Sequence, residues 1–269
     1  MEEEVYGTPI RREAEVLANI AKHFNNLETS DVTLSLAGQS YHVHRFVLST
    51  QSTVFHTMLM NGQWKESEEK VVNLEEAPEC EAVFCDFLKF FYTGQLTLSC
   101  KNVRGIHMLA DKYDVPLLKQ DAVSVMKDVL TGMQEGASKS SLDWLAYIEH
   151  CIPDLLSICY DAIRTNLRRF MAFTIGDEFS EYISKFELRH IQEILAKSDV
   201  ITHGEFDIFE FVSEWTKLKS DNLSKQNELQ ECQQILQQVR FYNMSAPELQ
   251  KVKQSELCKA IGKSFVDDF

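Results

Sequence analysis

A pair of histidines in the segment YHVHR comes nearest to a metal-binding pattern in this sequence. His42 and His44 alternate along a predicted strand, so both side chains lie on one face and could hold the edge of a metal ion. No third ligand accompanies them at a characteristic spacing, and Cys80 and Cys85 do not match a zinc spacing either. We therefore expect no metal site, with one histidine in a structural role and the other on the surface.

The sequence also lacks the patterns of the common catalytic and nucleotide-binding sites. G-x-S-x-G, H-E-x-x-H and G-x-G-x-x-G do not occur, and ten glycines leave little material for a phosphate-binding loop. Carboxylates are plentiful, but none is distinguished by its surroundings. The sequence therefore favours a protein that is not an enzyme, with no catalytic residue and no cofactor.

Trp64 is the most informative single residue, because it lies in the polar and heavily charged stretch MNGQWKESEEKVVNL. An indole is costly to leave in water, and an exposed large apolar side chain often marks a binding site. Two interpretations remain open from the residues alone. Trp64 either folds back onto its own domain or is offered to a partner.

The overall charge of the chain is acidic. Its 269 residues are 44% hydrophobic and carry a formal net charge of −14, with a pI near 5.0. The length allows one large or two ordinary domains. The acidic balance argues against direct binding to the phosphate backbone of nucleic acids, and it suits partners with basic or apolar patches.

Cysteine usage and hydropathy indicate the cellular compartment in which the protein is expected. The stretch MEEEVYGTPIRREAE has neither the basic start nor the apolar run of a signal peptide, and no apolar stretch approaches the roughly 18 residues of a membrane span. The seven cysteines are an odd number without a C-x-x-C pair, which favours reduced thiols. We therefore expect a cytoplasmic or nuclear protein, or both, that does not bind membranes.

The first half of the chain mixes helix and strand patterns. A helix is predicted from Thr8, a candidate cap, and Pro9, with an apolar stripe formed by Leu17, Ile20, Ala21, Phe24 and Leu27. Strands are predicted at DVTLSL, SYHVH, KVVNL and QLTL, with a turn at Gly38-Gln39. Further helices are predicted at RFVLSTQSTVFHTMLM, PECEAVFCDFLKFFYTG, VRGIHMLADKYDV and PLLKQDAVSVMKDVL.

From about residue 131 the pattern has helical period and no convincing strand. TGMQEGASKSS is predicted to be a small, polar connector. Capping boxes are predicted at the pairs Ser184 and Glu187, Thr202 and Glu205, and Ser245 and Glu248. The Gln-rich stretch DNLSKQNELQECQQILQQVRF favours an ordinary surface helix over a short coiled coil, because sustained heptads are missing.

Both halves resemble known domains. SDVTLSLAGQSYHVHRFVLSTQSTVF, EAVFCDFLKFFYTGQL and MLADKYDVPLLKQDA resemble the opening, the central helix and the next helix pair of a BTB/POZ domain. CIPDLLSICYDAIRTNL, ILAKSDVITHGEFDIFEFVSEW and VRFYNMSAPEL resemble the BACK domain of Kelch-like adaptors. The resemblance implies an N-terminal segment with a dimerisation helix at 1–29, an α+β BTB/POZ domain at 30–130 and an all-α BACK bundle at 131–269.

The resemblance also implies a homodimer. Many BTB proteins have a helix before the core that packs across the dimer, which would give the stripe of Leu17, Ile20, Ala21 and Phe24 a partner surface. The alternative is that the stripe packs on its own subunit. Asp31 and Arg45 match a buried Asp and Arg near the dimer interface of the family, where an ion pair would need to be satisfied.

Kelch-like members carry a hydrophobic-x-Glu motif in the loop after their third BTB helix, and the hydrophobic residue enters an apolar pocket on cullin-3. Trp64, Lys65 and Glu66 fall in that loop here, although the family more often has Met or Phe in place of Trp. A larger side chain either strengthens the contact or fails to fit the pocket. In the family the cullin contact extends into the first BACK helices, which correspond roughly to residues 142–167.

The resemblance implies a non-catalytic adaptor that brings an unknown protein substrate to a cullin-3 RING ubiquitin ligase. The alternative is an interaction scaffold without ligase function, such as a transcriptional co-regulator or an assembly module. Kelch propellers need Gly-Gly pairs, and this chain has none. We therefore expect either a fragment of a longer protein or a short BTB-BACK protein that recruits partners through its BACK surface or its N-terminus.

Overall fold

The computed structural model describes residues 11–132, 137–172, 184, 186–196, 204–219 and 232–261. The chain divides into two compact units between Met126 and Lys127. The predicted helix start at Thr8 and Pro9, the capping pair that begins at Thr202 and most of the Gln-rich helix lie outside the described residues.

The first unit combines helices with one small sheet. Its strands are β1 (Val32–Leu36), β2 (Gln39–Val43) and β3 (Val71–Leu74). Its helices are α1 (Glu13–Ala21), α2 (Arg45–Ser49), α3 (Thr53–Met60), α4 (Pro78–Glu81), α5 (Phe84–Thr93), α6 (Val103–Lys112) and α7 (Pro116–Leu130), the last of which runs past the division between the units.

β1 is the central strand of the sheet, antiparallel to β2 and parallel to β3. Val32, Leu34 and Leu36 are buried and alternate with less buried residues, as the sequence predicts. The hairpin turn is formed by Ala37 and Gly38, which have φ angles of 48° and 77°. A two-residue turn with positive φ at both positions matches the twist of the flanking strands. The turn lies one residue earlier than the predicted Gly38-Gln39.

The core of the first unit surrounds α5. The apolar residues of this helix at helical spacing, Phe84, Phe87, Leu88 and Phe91, are buried, and Phe87 packs edge-on against Phe91 with ring centroids 5.3 Å apart. Phe55 stacks on Tyr113 at 4.3 Å. The single helix predicted here is two helices, α4 and α5, and Gly94 ends the second with a φ of 62°, a left-handed conformation that favours glycine.

The predicted strand QLTL is wrong, because residues 95–98 have no regular secondary structure among the described residues. Leu96 and Leu98 still pack against the core, which explains the alternating pattern. The main chain is bound by nearby side chains instead: Thr93 Oγ1 accepts the Gln95 N–H at 3.1 Å, and Asn102 Nδ2 donates to the Thr97 carbonyl at 2.9 Å. Such local side-chain bonds compete with strand pairing.

The described part of the second unit is helical. Its main helices are α8 (Ala137–Cys151), α9 (Leu156–Ala172), α10 (Leu188–Leu195), α11 (Glu205–Lys219), α12 (Ala246–Gln254) and α13 (Glu256–Ile261), with a further helical segment at 232–236. α8 packs against α9 around buried Trp144, Ile148 and Ile163. The predicted connector is wrong in its second part, because Ala137 already begins α8.

In the second unit, one helix begins with the predicted capping box and another begins with a different one. Ser245 and Glu248 form the predicted capping box at the start of α12, where the Ser245 N–H donates to Glu248 Oε2 at 2.7 Å. At α10 the box is formed by Glu187 and His190 rather than by Ser184 and Glu187. The Glu187 N–H donates to His190 Nδ1 at 3.1 Å, so a buried imidazole takes the place of the usual carboxylate.

Candidate interaction surfaces

The segment between α3 and β3, residues 61–70, is called here the Trp64 loop, and it presents its indole to solvent. Trp64 is 52% exposed. Trp64 directly precedes a 3₁₀ turn at Lys65–Ser67, and its main-chain N–H donates to the Asn61 carbonyl at 3.0 Å. Ser67 Oγ in turn donates to the Trp64 carbonyl at 2.6 Å. The indole is therefore about half exposed and does not belong to the buried core, which leaves it accessible to a partner.

The charged residues of the Trp64 loop lie around this turn. Lys65 Nζ is 2.7 Å from Glu69 Oε1, and this hydrogen bond, together with the charge of Glu69, raises the pKa of Lys65. The Lys65 side chain is 82% exposed, so the pair is a surface ion pair of small energetic weight. Glu66 is half-buried beside it. The loop thus offers an apolar side chain flanked by charges of both signs.

Met60 extends the apolar part of this surface. It is the last residue of α3 and is 48% exposed, whereas Leu59 next to it is buried. Methionine side chains are flexible and adapt to irregular surfaces. The end of α3 and the Trp64 loop therefore expose two large apolar side chains within five positions of the sequence.

Arg45 binds the main chain of this loop from the inside. Its guanidinium Nη1 donates to the carbonyl of Leu59 at 2.8 Å and to that of Glu66 at 3.0 Å, and Nη2 donates to the carbonyl of Glu69. We call these three hydrogen bonds the Arg45 clamp. Sequence reasoning missed it, because main-chain carbonyls accept from any residue and leave no pattern of residue types.

Within the single chain, Asp31 and Arg45 do not form the ion pair that the resemblance implies, and their place near a dimer interface stays a prediction. Asp31 is exposed, and its Oδ1 accepts the main-chain N–H of Arg45 at 2.8 Å, at the start of α2. The guanidinium points to the carbonyls of the clamp instead, and no ion pair joins these two described side chains. A carboxylate beside the free N–H groups of a helix start is a favourable arrangement, so Asp31 stabilises α2.

The apolar stripe of the N-terminal helix is divided by the structure. Within α1, Leu17 is 47% and Ile20 38% exposed, and no residue of α1 is buried. The helix ends at Ala21, so Phe24 and Leu27 lie after it, contrary to the prediction. Phe24 packs on its own chain, with its ring 5.3 Å from that of Tyr92 on α5. The exposed members of the stripe are Leu17 and Ile20 on α1, with Val16 beside them, and Leu27 after the end of the helix.

His42 and His44 both contact side chains of their own domain. His42 Nδ1 lies 3.0 Å from Thr33 Oγ1 across the hairpin, and His44 Nδ1 lies 3.0 Å from the hydroxyl of buried Tyr92. Burial raises the pKa of Tyr92 to about 12. Within the described residues, no group of three His, Cys, Asp or Glu is arranged to hold a metal ion. Nor does that part of the chain contain a helix with the length and apolar character needed to cross a membrane.

Comparison with known families identifies both units. The model of the BTB/POZ domain matches residues 20–129, and the model described as BTB And C-terminal Kelch, the BACK domain, matches residues 146–254. No Kelch domain is found in the chain. The chain therefore belongs to the proteins that carry a BTB/POZ domain followed by a BACK domain. Both are families of protein-interaction modules.

Several curated proteins are similar to this chain over most of its length. The chain is 24% identical over 251 residues to BTB/POZ domain-containing protein 17 of Xenopus laevis, which covers 90% of this chain and 48% of the relative. It is 24% identical to Kelch-like protein 7 of Rattus norvegicus, and the match covers 91% of this chain and 39% of that relative. It is also 23% identical to galectin-3-binding protein of Mus musculus, and the match covers 84% of this chain and 36% of that relative. The chain spans less than half the length of each of these relatives.

Proposed function

We propose that this chain is a non-catalytic homodimeric adaptor that binds the N-terminal domain of cullin-3 and recruits a protein substrate for ubiquitination, in the cytoplasm, the nucleus or both. The observation that carries the proposal is the exposed indole of Trp64, held on a hydrogen-bonded turn at the position where Kelch-like members have their hydrophobic-x-Glu motif. Similarity to Kelch-like protein 7 over most of the chain supports it.

The physical basis of the proposed contact is burial of an exposed aromatic ring. Trp64 lies in a polar loop, so transfer of the indole to an apolar pocket removes apolar surface from water. Because hydrogen bonds already order the turn, little conformational entropy remains to be lost on binding. Glu66 follows as the acidic residue of the motif, and Lys65 lies between them.

The proposed dimer uses the exposed face of α1. Leu17 and Ile20 are aliphatic side chains that the single chain leaves in contact with water, and Ala21 and Phe24 continue the surface towards α5. A second copy would cover this face, as the resemblance to BTB proteins implies. Asp31, at the start of α2, and Arg45, which forms the loop clamp, are the further residues proposed to lie near the dimer interface.

Calorimetry with the N-terminal domain of cullin-3 tests the anchoring role of Trp64. For Trp64→Ala we expect a loss of about 2 kcal/mol or more in binding free energy, because central aromatic anchors dominate interfaces. The matched control is Tyr242→Ala, which removes an aromatic side chain that is 73% exposed in the second unit. The control is expected to bind like the wild type. Equal affinity of the wild type and Trp64→Ala would show that Trp64 is not part of the cullin-binding site.

A second candidate function is an interaction scaffold without ligase function. The observation that favours it is the similarity to galectin-3-binding protein, whose name records a partner other than a cullin. Affinity purification of the intact protein from cells separates the two functions. The adaptor proposal predicts cullin-3 among the recovered proteins, whereas repeated recovery of other partners without any cullin would favour the scaffold.

A further inference from the structure

The Arg45 clamp joins three points of the main chain around the Trp64 loop. The Leu59 carbonyl belongs to the last turn of α3, before the loop begins. The Glu66 carbonyl belongs to the 3₁₀ turn that follows Trp64, and the Glu69 carbonyl lies just before β3. One side chain therefore holds the start, the middle and the end of the loop at fixed separations.

From this arrangement we infer that Arg45 is the positioning residue of the Trp64 loop, and that it sets the affinity for cullin-3 without contacting cullin-3. The cullin part of the inference rests on the function proposed above. The positioning itself rests only on the three hydrogen bonds. It assigns Arg45 a role different from the dimer-interface ion pair that the sequence predicts.

The chemistry of the guanidinium explains why arginine suits this position. Its planar fork carries five N–H donors in fixed directions, and hydrogen bonds from a charged donor are stronger than neutral ones. Lysine has the same charge, but its ammonium is a compact group that cannot reproduce the fork. Three carbonyls that lose their donor would have to find other partners, and the loop would then sample more conformations.

A positioning role affects the order of the Trp64 loop alone, whereas a general structural role would change the order of the loop and the stability of the core together. The sheet and the α5 core are held by β-pairing and by aromatic packing, and neither involves the guanidinium. Loss of the clamp should therefore loosen the loop and leave the core unchanged. The amides of Trp64, Ser67 and Glu68, each bonded within the loop region, report on the loop alone.

Hydrogen exchange and calorimetry on Arg45→Lys test this role. We expect faster exchange of the three loop amides with unchanged exchange in β1 and β2, and binding to the cullin-3 N-terminal domain about tenfold weaker because a more mobile loop loses more entropy on binding. Light scattering should give the same mass as for the wild type. The control is Arg240→Lys, which changes an arginine of the second unit that pairs with Glu205, outside residues 142–167.

Several other outcomes would overturn the inference. Unchanged loop exchange would show that the clamp does not order the loop, and unchanged cullin affinity in the presence of faster loop exchange would show that loop order does not set binding. Faster exchange throughout β1, β2 and the loop, or loss of the folded unit, would make Arg45 a general structural residue. If the wild type does not bind cullin-3, the proposed function fails, and the exchange measurement still decides whether Arg45 positions the loop.

Discussion

At the scale of single residues, the surface around Trp64 depends on groups that bind main chain as well as on groups that face solvent. The indole is exposed, while Ser67 and Arg45 hold the carbonyls of the same turn. An anchor that is fixed before binding contributes more to affinity than one that must be ordered. In the proposed cullin contact, the second residue to test after Trp64 is thus Arg45, which binds the main chain of the loop from the inside.

Gly105 is a residue whose identity is set by helix packing. A Cβ at this position would lie 2.3 Å from the Glu79 carbonyl oxygen and 2.9 Å from Val83 Cγ2, so α4 and α6 would have to move apart. For Gly105→Ala we expect a loss of about 1–3 kcal/mol in the free energy of unfolding, measured by urea denaturation. Gly62→Ala is the control, because a Cβ added there would meet no heavy atom within 4 Å. Equal loss in the two variants would contradict the packing argument.

Sequence patterns predict side chains better when their partners are also side chains. The stripe of α5 was predictable because burial of Phe84, Phe87 and Phe91 imposes helical spacing on apolar residues. The exposure of Trp64 was left open, since a polar neighbourhood is compatible with either orientation. The acceptors of Arg45 are main-chain atoms, so residue types carry no information about them.

At the scale of elements, the first unit shows where local pattern and tertiary structure disagree. QLTL alternates as a strand does, yet Thr93 and Asn102 bind its main chain and no strand forms there among the described residues. The alternation reports that Leu96 and Leu98 pack on the core. Similarly, the apolar stripe of α1 continues past the end of the helix, because Phe24 packs on Tyr92 from a turn.

The exposed face of α1 leads to a prediction at the same scale. For Leu17→Glu we expect light scattering to give the mass of one chain where the wild type gives two, because a charge would replace an aliphatic side chain in the dimer interface. Leu117→Glu is the matched control, since Leu117 on α7 is 73% exposed. It should remain a dimer. Two chains in the Leu17→Glu sample would show that this face does not form the dimer.

At the scale of the whole molecule, two interaction modules follow one another in an acidic chain of 269 residues with a net charge of −14. The order of the two domains was predictable, because several motifs of each occur in sequence. The surface that would bind a substrate in the proposed function was not predictable, since such a surface depends on exposed residues with no required spacing. The relatives are longer than the matched region, which covers at most 48% of those compared.

Light scattering of the wild-type chain mixed with the N-terminal domain of cullin-3, after size-exclusion chromatography, tests the central proposal most directly. Each chain has its own Trp64 loop, so a dimeric adaptor should bind one cullin domain per chain. The account predicts a single species that contains two copies of this chain and two cullin domains. Separate elution of the chain and the cullin domain at micromolar concentrations would contradict it.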